Sequence, residues 1–214
     1  MKPAILVIGS GGHAVVVADA LLAAGERVLG FTDVDASRHG LSVCGLPVLG
    51  DDRVLAAHSQ GDVLLAIGIG GVRGEPGRRL VQERLLAAGW RVCGVRHPSA
   101  IVSPFARLGA GVQLMAGSIV QPGAEIGDGA IVNTAAVVEH DCAVGPYVHV
   151  APRALLCGNA AVGGDSHVGA GAVVRQGLRL GARTVVGAGA VVVQDYIGGG
   201  QLVGVPARPR EKQA

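Results

Sequence analysis

Residues 119–138 read IVQPGAEIGDGAIVNTAAVV, and in this stretch every sixth residue is aliphatic. The same register runs from Val102 to Val192, with Val, Ile or Leu at each step and usually a small residue two positions before it. Glycines that follow an aliphatic position recur at intervals of eighteen residues: Gly109, Gly127, Gly145, Gly163 and Gly181. This double period predicts a left-handed parallel β-helix built from hexapeptide repeats, with three repeats to a coil and the aliphatic residues inside.

The composition agrees with a narrow interior and excludes several classes of protein. Glycine accounts for 36 of the 214 residues and aromatic residues for only 2%. The net charge of +2 is too small to indicate a nucleic-acid partner, and no apolar run is long enough to cross a membrane. The four cysteines are widely spaced, without a C-x-x-C pair, so we expect free thiols and a cytoplasmic protein.

The first 97 residues lack the hexapeptide register and alternate between strand and helix patterns. Strands are predicted at 4–8, 27–32, 63–67 and 91–95, helices at 13–24, near 52 and at 78–88, and a turn at 44–47. This alternation is typical of a small parallel α/β sheet. We therefore predict a Rossmann-like domain over residues 1–97, followed by the β-helix domain with a C-terminal tail over residues 98–214.

The N-terminal domain carries a glycine-rich loop between its first strand and first helix. In the sequence Gly9–Ser10–Gly11–Gly12–His13, the glycines allow a ligand to approach the backbone, and the start of a helix attracts phosphate. Asp33 ends the next strand, and a second loop begins at Gly68 on the same expected edge of the sheet. A nucleotide attached to a sugar fits this small domain better than NAD does, and a purely structural glycine turn is the remaining alternative.

The β-helix carries one group of polar residues in an otherwise small and aliphatic coil, Glu139–His140–Asp141. An imidazole beside a carboxylate can accept a proton near neutral pH. Gly158 lies eighteen residues after His140, so we expect it one coil above, where its N–H could donate to a ligand. A surface corner without function is the alternative for this group.

Two other histidines, His149 and His167, are also eighteen residues apart and are predicted to stack on one edge. Three histidines on a β-helix raise the alternative of a trimeric, metal-dependent enzyme of the carbonic-anhydrase type. Against it, His140 is predicted at a different corner of the coil, and that group is not expected to carry a nucleotide-type domain. We therefore predict no metal.

Taken together, the ordered motifs resemble the nucleotide-linked amino-sugar acetyltransferases. That family includes bacillosamine-pathway and perosamine N-acetyltransferases and relatives labelled sialic-acid O-acetyltransferases. The matching segments are the Gly9–His13 loop, Gly30–Phe31–Thr32–Asp33, Asn133–Thr134, Val138–Glu139–His140–Asp141–Cys142, Val148–His149–Val150–Ala151–Pro152, the Val–Gly–Ala–Gly–Ala–Val–Val repeats at 168–174 and 186–192, and Gly204–Val205–Pro206–Ala207–Arg208.

The resemblance implies an acetyl-CoA-dependent transferase that forms a homotrimer with active sites between subunits. His140 then matches the presumed base and Asp141 the neighbour that raises its basicity, with Glu139 beside them. His149 matches a contact to the thioester region of acetyl-CoA, and Gly158, Ala170 and Ala188 match positions along the pantetheine arm. The nucleotide-sugar side is matched by these residues: Gly11, Gly12, His13, Asp33 and Gly68.

These observations lead to one expected function and two alternatives. We expect N-acetylation of a UDP-, GDP- or dTDP-linked 4-amino sugar. O-acetylation of a sugar of the sialic-acid type is the nearest alternative. A non-catalytic nucleotide-sugar-binding trimer is the other, and the Glu139–His140–Asp141 group argues against it.

Overall fold

The computed structural model describes residues 2–71 and 77–210. They divide into two compact units. The N-terminal unit holds residues 2–70 and Gly77–Pro98, and the C-terminal unit holds Gly71 and residues 99–210. The predicted fold class, an α/β domain followed by a left-handed parallel β-helix, is confirmed.

The N-terminal unit is built on a five-stranded sheet of order β3-β4-β2-β1-β5. Its strands are β1 Ala4–Ile8, β2 Val28–Thr32, β3 Ser42–Val43, β4 Leu46–Gly50 and β5 Val63–Ile67, and a short strand, β6 Val95–Arg96, follows later in the chain. The helices are α1 Gly12–Ala23 and α2 Gly77–Ala87, with single 3-10 segments at Ala36–Arg38 and Asp52–Ala57.

Burial explains why β1 and α1 form where they do. All five residues of β1 are buried, and β1 pairs in parallel with β2 on one side and β5 on the other. Continuous aliphatic runs of this kind are typical of central strands in a parallel sheet. The helix that follows places Ala14, Val17 and Leu21 in the core. The loop between β1 and α1 therefore lies at the carboxyl end of a central strand.

The predicted turn at residues 44–47 is wrong in its second half. Cys44 and Gly45 alone make the turn, with φ angles of 50° and 74°, as a two-residue hairpin connection requires. Leu46–Gly50 then forms β4, which pairs with β2. Gly30 allows this close pairing, because a Cβ there would lie 2.3 Å from the carbonyl oxygen of Pro47.

The C-terminal unit is a coil of short strands in three parallel sheets. The first sheet contains Gln113–Leu114, Ile131–Val132, His149–Val150, His167–Val168, Thr184–Val186 and Gly200–Val203, with Arg208–Pro209 antiparallel at its end. The second contains Ile101–Val102, Ile119–Val120, Val137–Val138, Leu155–Leu156, Val173–Val174 and Val191–Val192. The third contains Arg107–Leu108, Glu125–Ile126, Ala143–Val144, Ala161–Val162 and Arg179–Leu180.

The register predicted from the sequence is the register of the core. Between residues 101 and 192, residues paired between adjacent strands are eighteen apart, as in His149 with His167. The inward residues Val132, Val150 and Leu156 have no exposed surface. Leu108 is an exception at 43% exposed, because its strand is the terminal one of the third sheet.

The glycine column sets how closely the coils stack. A Cβ on Gly145 would lie 2.6 Å from the backbone nitrogen of Gly164, one coil on. Backbone atoms cannot move aside as the end of a flexible side chain can.

No helix in the part of the chain described is both long and apolar enough to cross a membrane.

Replacing Gly145 with Ala should therefore lower stability by about 1–3 kcal/mol, the usual cost of overpacking. Ala143→Ser is the matched control, because Ala143 is exposed in the same coil. Thermal unfolding of both variants checks this. Equal unfolding midpoints would contradict the stacking account.

Candidate active site

His140 lies in the turn that joins the second sheet to the third. The turn is fixed by the coils on either side of it, since Asp141 N–H donates to the carbonyl of Pro122 at 3.1 Å. The carbonyl of His140 accepts from Asn159 N–H at 2.8 Å. Asp141 has a φ of 58°, a left-handed conformation that aspartate tolerates better than most residues. His140 therefore projects from a rigid corner, with 62% of its side chain exposed.

The hydrogen bond to Asp141 decides which imidazole nitrogen can act as a base. His140 Nδ1 lies 2.9 Å from Asp141 Oδ2. An ionised carboxylate only accepts hydrogen bonds, so Nδ1 carries the proton and donates it. In the neutral ring, Nε2 then holds the lone pair. This is the arrangement that a general base requires.

Gly158 lies against the ring of His140, as the eighteen-residue spacing predicts. A Cβ at Gly158 would come within 2.5 Å of His140 Nε2 and 2.6 Å of Cε1. Any larger residue would therefore push the ring out of position. Among residues 2–71 and 77–210, the N–H of Gly158 has no hydrogen-bond acceptor. The imidazole of His140 and an unpaired backbone N–H are thus neighbours at this corner.

Glu139 interacts with different groups from Asp141. Its charge acts on two nearby thiols, and together with burial, the larger cause, it raises the pKa of Cys157. Burial also raises the pKa of Cys142 to about 11. Both thiols are therefore protonated at neutral pH, which makes them poor nucleophiles.

His149 is held at both ring nitrogens. The Asn133 amide oxygen accepts from Thr134 N–H at 2.7 Å, which directs the amide nitrogen toward His149 Nε2 at 2.9 Å. His149 Nδ1 faces the carbonyl of Gly71 at 2.8 Å, so Nδ1 is the protonated nitrogen and Nε2 accepts from Asn133. Asn133 was expected only as part of a motif, although a polar residue directly after an aliphatic strand also indicates a functional position.

His167 packs edge-on against His149, with ring centroids 4.9 Å apart and an interplanar angle of 88°. It is 9% exposed, and its Nδ1 has no hydrogen-bond partner in the described part of the chain. Burial lowers the pKa of His167, while the Gly71 carbonyl opposes this effect. We therefore expect His167 to be neutral at pH 7.

This depressed pKa predicts a pH-dependent stability. An unfolded histidine binds a proton below about pH 6.5, where the folded protein still holds His167 neutral. The unfolded state then binds more protons, so stability falls as the pH drops from about 6.5 toward the lower folded pKa.

Thermal unfolding between pH 7.5 and 5 tests this expectation. The midpoint of the His167→Gln variant should fall less steeply with decreasing pH than that of the wild type, whereas the His58→Gln control should follow the wild type. A His167→Gln midpoint that falls as steeply as the wild-type midpoint would contradict the assignment.

The predicted cofactor residues lie on two different sides of the β-helix. His149 is in the first sheet, and Ala170 and Ala188 are exposed in the turns that lead from the first sheet to the second, on the next coils. Gly158 lies with His140 in the turns between the second and third sheets. These turns face away from the first sheet in a three-sided coil. A single C-terminal unit therefore does not bring all these residues together.

The separation of the three histidines also argues against a shared metal site. His149 and His167 are adjacent, but His140 belongs to the other side of the coil. Within the described ranges, no group of three or more His, Cys, Asp and Glu side chains is placed to hold a metal ion.

In the N-terminal unit, the glycines of the first loop differ in what they require. A Cβ on Gly11 or Gly12 would meet no atom within 4 Å, so packing does not demand glycine there. Gly9 has a φ of 94°, and a Cβ on Gly68 would lie 2.6 Å from the Cβ of Ala14. Gly9 and Gly68 therefore have structural reasons to be glycine, whereas Gly11 and Gly12 leave open space.

The start of α1 is also open to an anion. Its N-cap residue, Gly11, provides no side-chain hydrogen bond, and the first turn contains no acidic residue. Unsatisfied N–H groups and the positive end of the helix dipole favour a bound phosphate at such a position. His13 packs against the second loop, since a Cβ on Gly70 would lie 3.2 Å from the His13 Cβ.

Asp33 follows β2 and supports the loop between β1 and α1. Its Oδ2 accepts hydrogen bonds from both the N–H and the hydroxyl of Ser10, and its Oδ1 accepts from Asp35 N–H at 3.0 Å. Burial acts to raise the pKa of Asp33, but these hydrogen bonds and Arg38 hold it below its ordinary value. Asp33 is therefore an ionised residue at the base of the loop.

Comparison with known sequences gives one family match. Residues 4–85 match the family model described as the PglD N-terminal domain. A search among curated proteins gives no match.

Solved structures resemble nearly the whole chain. The acetyltransferase domain of PglB from Neisseria gonorrhoeae FA1090, in complex with acetyl coenzyme A, is 38% identical with a TM-score of 0.91, over 98% of this chain and 100% of that one. A mutant of perosamine N-acetyltransferase from Caulobacter crescentus, in complex with CoA and GDP-perosamine, is 39% identical with a TM-score of 0.90, over 99% of each chain. WeeI from Acinetobacter baumannii AYE is 25% identical with a TM-score of 0.88, over 98% and 100%. The similarity thus extends over both units.

Proposed function

We propose that this chain transfers an acetyl group from acetyl-CoA to the amino group of a nucleotide-linked 4-amino sugar. The chain belongs to the amino-sugar acetyltransferases of the hexapeptide-repeat family and is an acyltransferase. Relatives solved with acetyl-CoA, and with CoA and GDP-perosamine, support the two substrate classes. UDP, GDP and dTDP sugars are all candidates for the nucleotide.

The observation that carries this proposal is the position of His140 Nε2. Asp141 holds Nδ1, so the lone pair is on Nε2, the ring atom that lies nearest to the Gly158 backbone. In the proposed mechanism, the sugar amine attacks the thioester carbonyl and His140 Nε2 takes the amine proton. The tetrahedral species then collapses, the C–S bond breaks, and the imidazolium gives its proton to the departing CoA thiolate. The products are an amide and free CoA.

The charges at the corner support direct transfer. Negative charge develops on the carbonyl oxygen in the tetrahedral species, and the unpaired N–H of Gly158 is a suitable donor for it. An acyl-cysteine intermediate is disfavoured, because Cys142 is buried with its pKa raised to about 11, and the pKa of Cys157 is raised as well. We assign Glu139 an electrostatic role toward Cys142 and Cys157, where its charge adds to burial in raising the pKa of both thiols.

We assign the nucleotide sugar to the N-terminal loops. The open space at Gly11 and Gly12 and the uncapped start of α1 support a diphosphate there. His13, Asp33 and Gly68 complete the set, and Asp33 and Gly68 contribute by shaping the loops.

We assign acetyl-CoA to the β-helix, with His149, Gly158, Ala170 and Ala188 along its length. Because both nitrogens of His149 already have partners, its contact with the cofactor would be one of packing. Exposed alanines in the turns leave room for an extended arm. We propose no resident metal for this reaction.

We propose a homotrimer with active sites between subunits, and the same geometry supports it. His140 and His149 lie on different sides of one coil, so both can contact one acetyl-CoA only if the second residue comes from another copy. The second sheet supplies a surface for such contact, because its outward residues are aliphatic and only partly buried: Ile119, Val137, Leu155, Val173 and Val191. The free thiols of Cys44, Cys93, Cys142 and Cys157 support a cytoplasmic location.

His140→Ala should lower kcat by about 10²–10⁴-fold, the usual contribution of general-base catalysis. Asp141→Asn should cost less, because Asp141 only orients and charges the ring. His58→Ala, on the N-terminal unit, is the control for loss of a histidine. Steady-state release of CoA thiol with GDP-, UDP- and dTDP-linked 4-amino sugars measures all three. A His140→Ala enzyme that retains more than about a third of the wild-type kcat would contradict the base assignment.

Gly12→Val should raise the KM for the nucleotide sugar by about tenfold or more and leave the KM for acetyl-CoA nearly unchanged, because the branched side chain fills the space given to the diphosphate. Gly77→Val is a matched control, since Gly77 also begins a helix and a Cβ there meets nothing within 4 Å. Equal effects of the two variants on the nucleotide-sugar KM would show that the loop has no ligand role.

A further inference from the structure

The loop between β1 and α1 is tied down by a buried serine. Ser10 has no exposed surface, and its N–H donates to Asp33 Oδ2 at 2.9 Å. Its hydroxyl donates to the same carboxylate oxygen. Arg38 also contacts Ser10, because its Nε donates to Ser10 Oγ at 2.6 Å and its Nη2 donates to the Ser10 carbonyl at 2.7 Å. Every polar atom of Ser10 is therefore engaged by this one ion pair.

The ion pair between Arg38 and Asp33 is held by neighbouring residues of the same segment. Arg38 Nε lies 3.5 Å from Asp33 Oδ2. Asp33 Oδ1 accepts from Asp35 N–H, and the Asp33 carbonyl lies 2.8 Å from His39 Nε2. The side chains of Arg38 and Asp33 are 37% and 15% exposed, so their charges are only partly screened by water.

A bare carboxylate at this place would oppose the ligand that the loop is proposed to hold. Gly11 and Gly12 follow Ser10 directly and begin α1, whose open N–H groups favour an anion. An uncompensated negative charge on Asp33 would repel a diphosphate there. The Arg38 guanidinium compensates the charge of Asp33 and so removes this repulsion. Because it also donates to the Ser10 carbonyl, it holds the peptide between Ser10 and Gly11 in place.

We propose that Arg38 is a positioning residue for the diphosphate of the nucleotide sugar. It acts through Ser10 and Asp33, by orienting the loop and by neutralising the carboxylate beneath it. This inference rests on the proposed function, because it takes a nucleoside diphosphate as the ligand.

Calorimetric titration of the full chain with UDP, GDP and dTDP tests the inference. With the diphosphate that the wild type binds best, Arg38→Gln should weaken affinity by about tenfold or more, because it leaves the Asp33 charge uncompensated. The corresponding nucleoside without phosphate should bind both proteins alike. Arg53→Gln is the matched control, since Arg53 pairs with Asp51 at 2.8 Å in the same unit but is 90% exposed.

A double-mutant cycle separates charge from folding. Asp33→Asn combined with Arg38→Gln should bind the diphosphate more tightly than Arg38→Gln alone, because the repelling charge is gone. Arg38→Lys keeps the charge but not the two-pronged contact, so its affinity should lie between those of the wild type and Arg38→Gln. Thermal unfolding of each variant shows whether it is folded, and the KM for acetyl-CoA should not change.

The outcomes are distinct. Affinities of Arg38→Gln and wild type within twofold of each other, or a double variant that is no tighter than Arg38→Gln, would overturn the role of Arg38 and leave the proposed function standing. A folded wild type that binds none of the three diphosphates would overturn the proposed nucleotide-sugar substrate itself, and the inference with it.

Discussion

The backbone ladder between successive coils is the constraint on which the C-terminal unit depends. Between residues 101 and 192, paired strands are eighteen residues apart, so a side chain has fixed neighbours one coil below and one coil above. This spacing puts Gly158 against the ring of His140 and His167 against His149. In such a coil, the position of a functional side chain depends on residues far from it in sequence but constant in spacing.

The three-sided coil also places His140 and His149 on different sides. The corner with His140 projects between the second and third sheets, while His149 and its partner Asn133 belong to the side of the first sheet. A reaction that uses both sides of the coil needs a second copy of the chain. In the proposed trimer, the aliphatic outward face of the second sheet is the surface buried between copies, and burial of apolar surface is the main driving force in most protein association.

The sequence predicted the β-helix well because its period is repeated many times and every repeat is subject to the same steric limits. It also predicted the proximity of His140 and Gly158, which follows from spacing alone. It could not predict the pairing of Asn133 with His149 or the contact with Gly71, because these depend on side-chain orientation and on a loop distant in sequence. In the N-terminal unit, β4 was missed because Pro47 suggested a turn, whereas Gly30 makes room for a strand there.

In the proposed trimer, His140 of one copy and His149 of another complete the same active site. Co-expression of His140→Ala and His149→Ala chains carrying different tags, followed by isolation of assemblies that hold both tags, tests it directly. In a cyclic trimer, each mixed assembly has one site with both histidines intact, so mixed trimers should recover about a third of the wild-type kcat. Mixed assemblies no more active than the average of the two variants measured separately would contradict the claim.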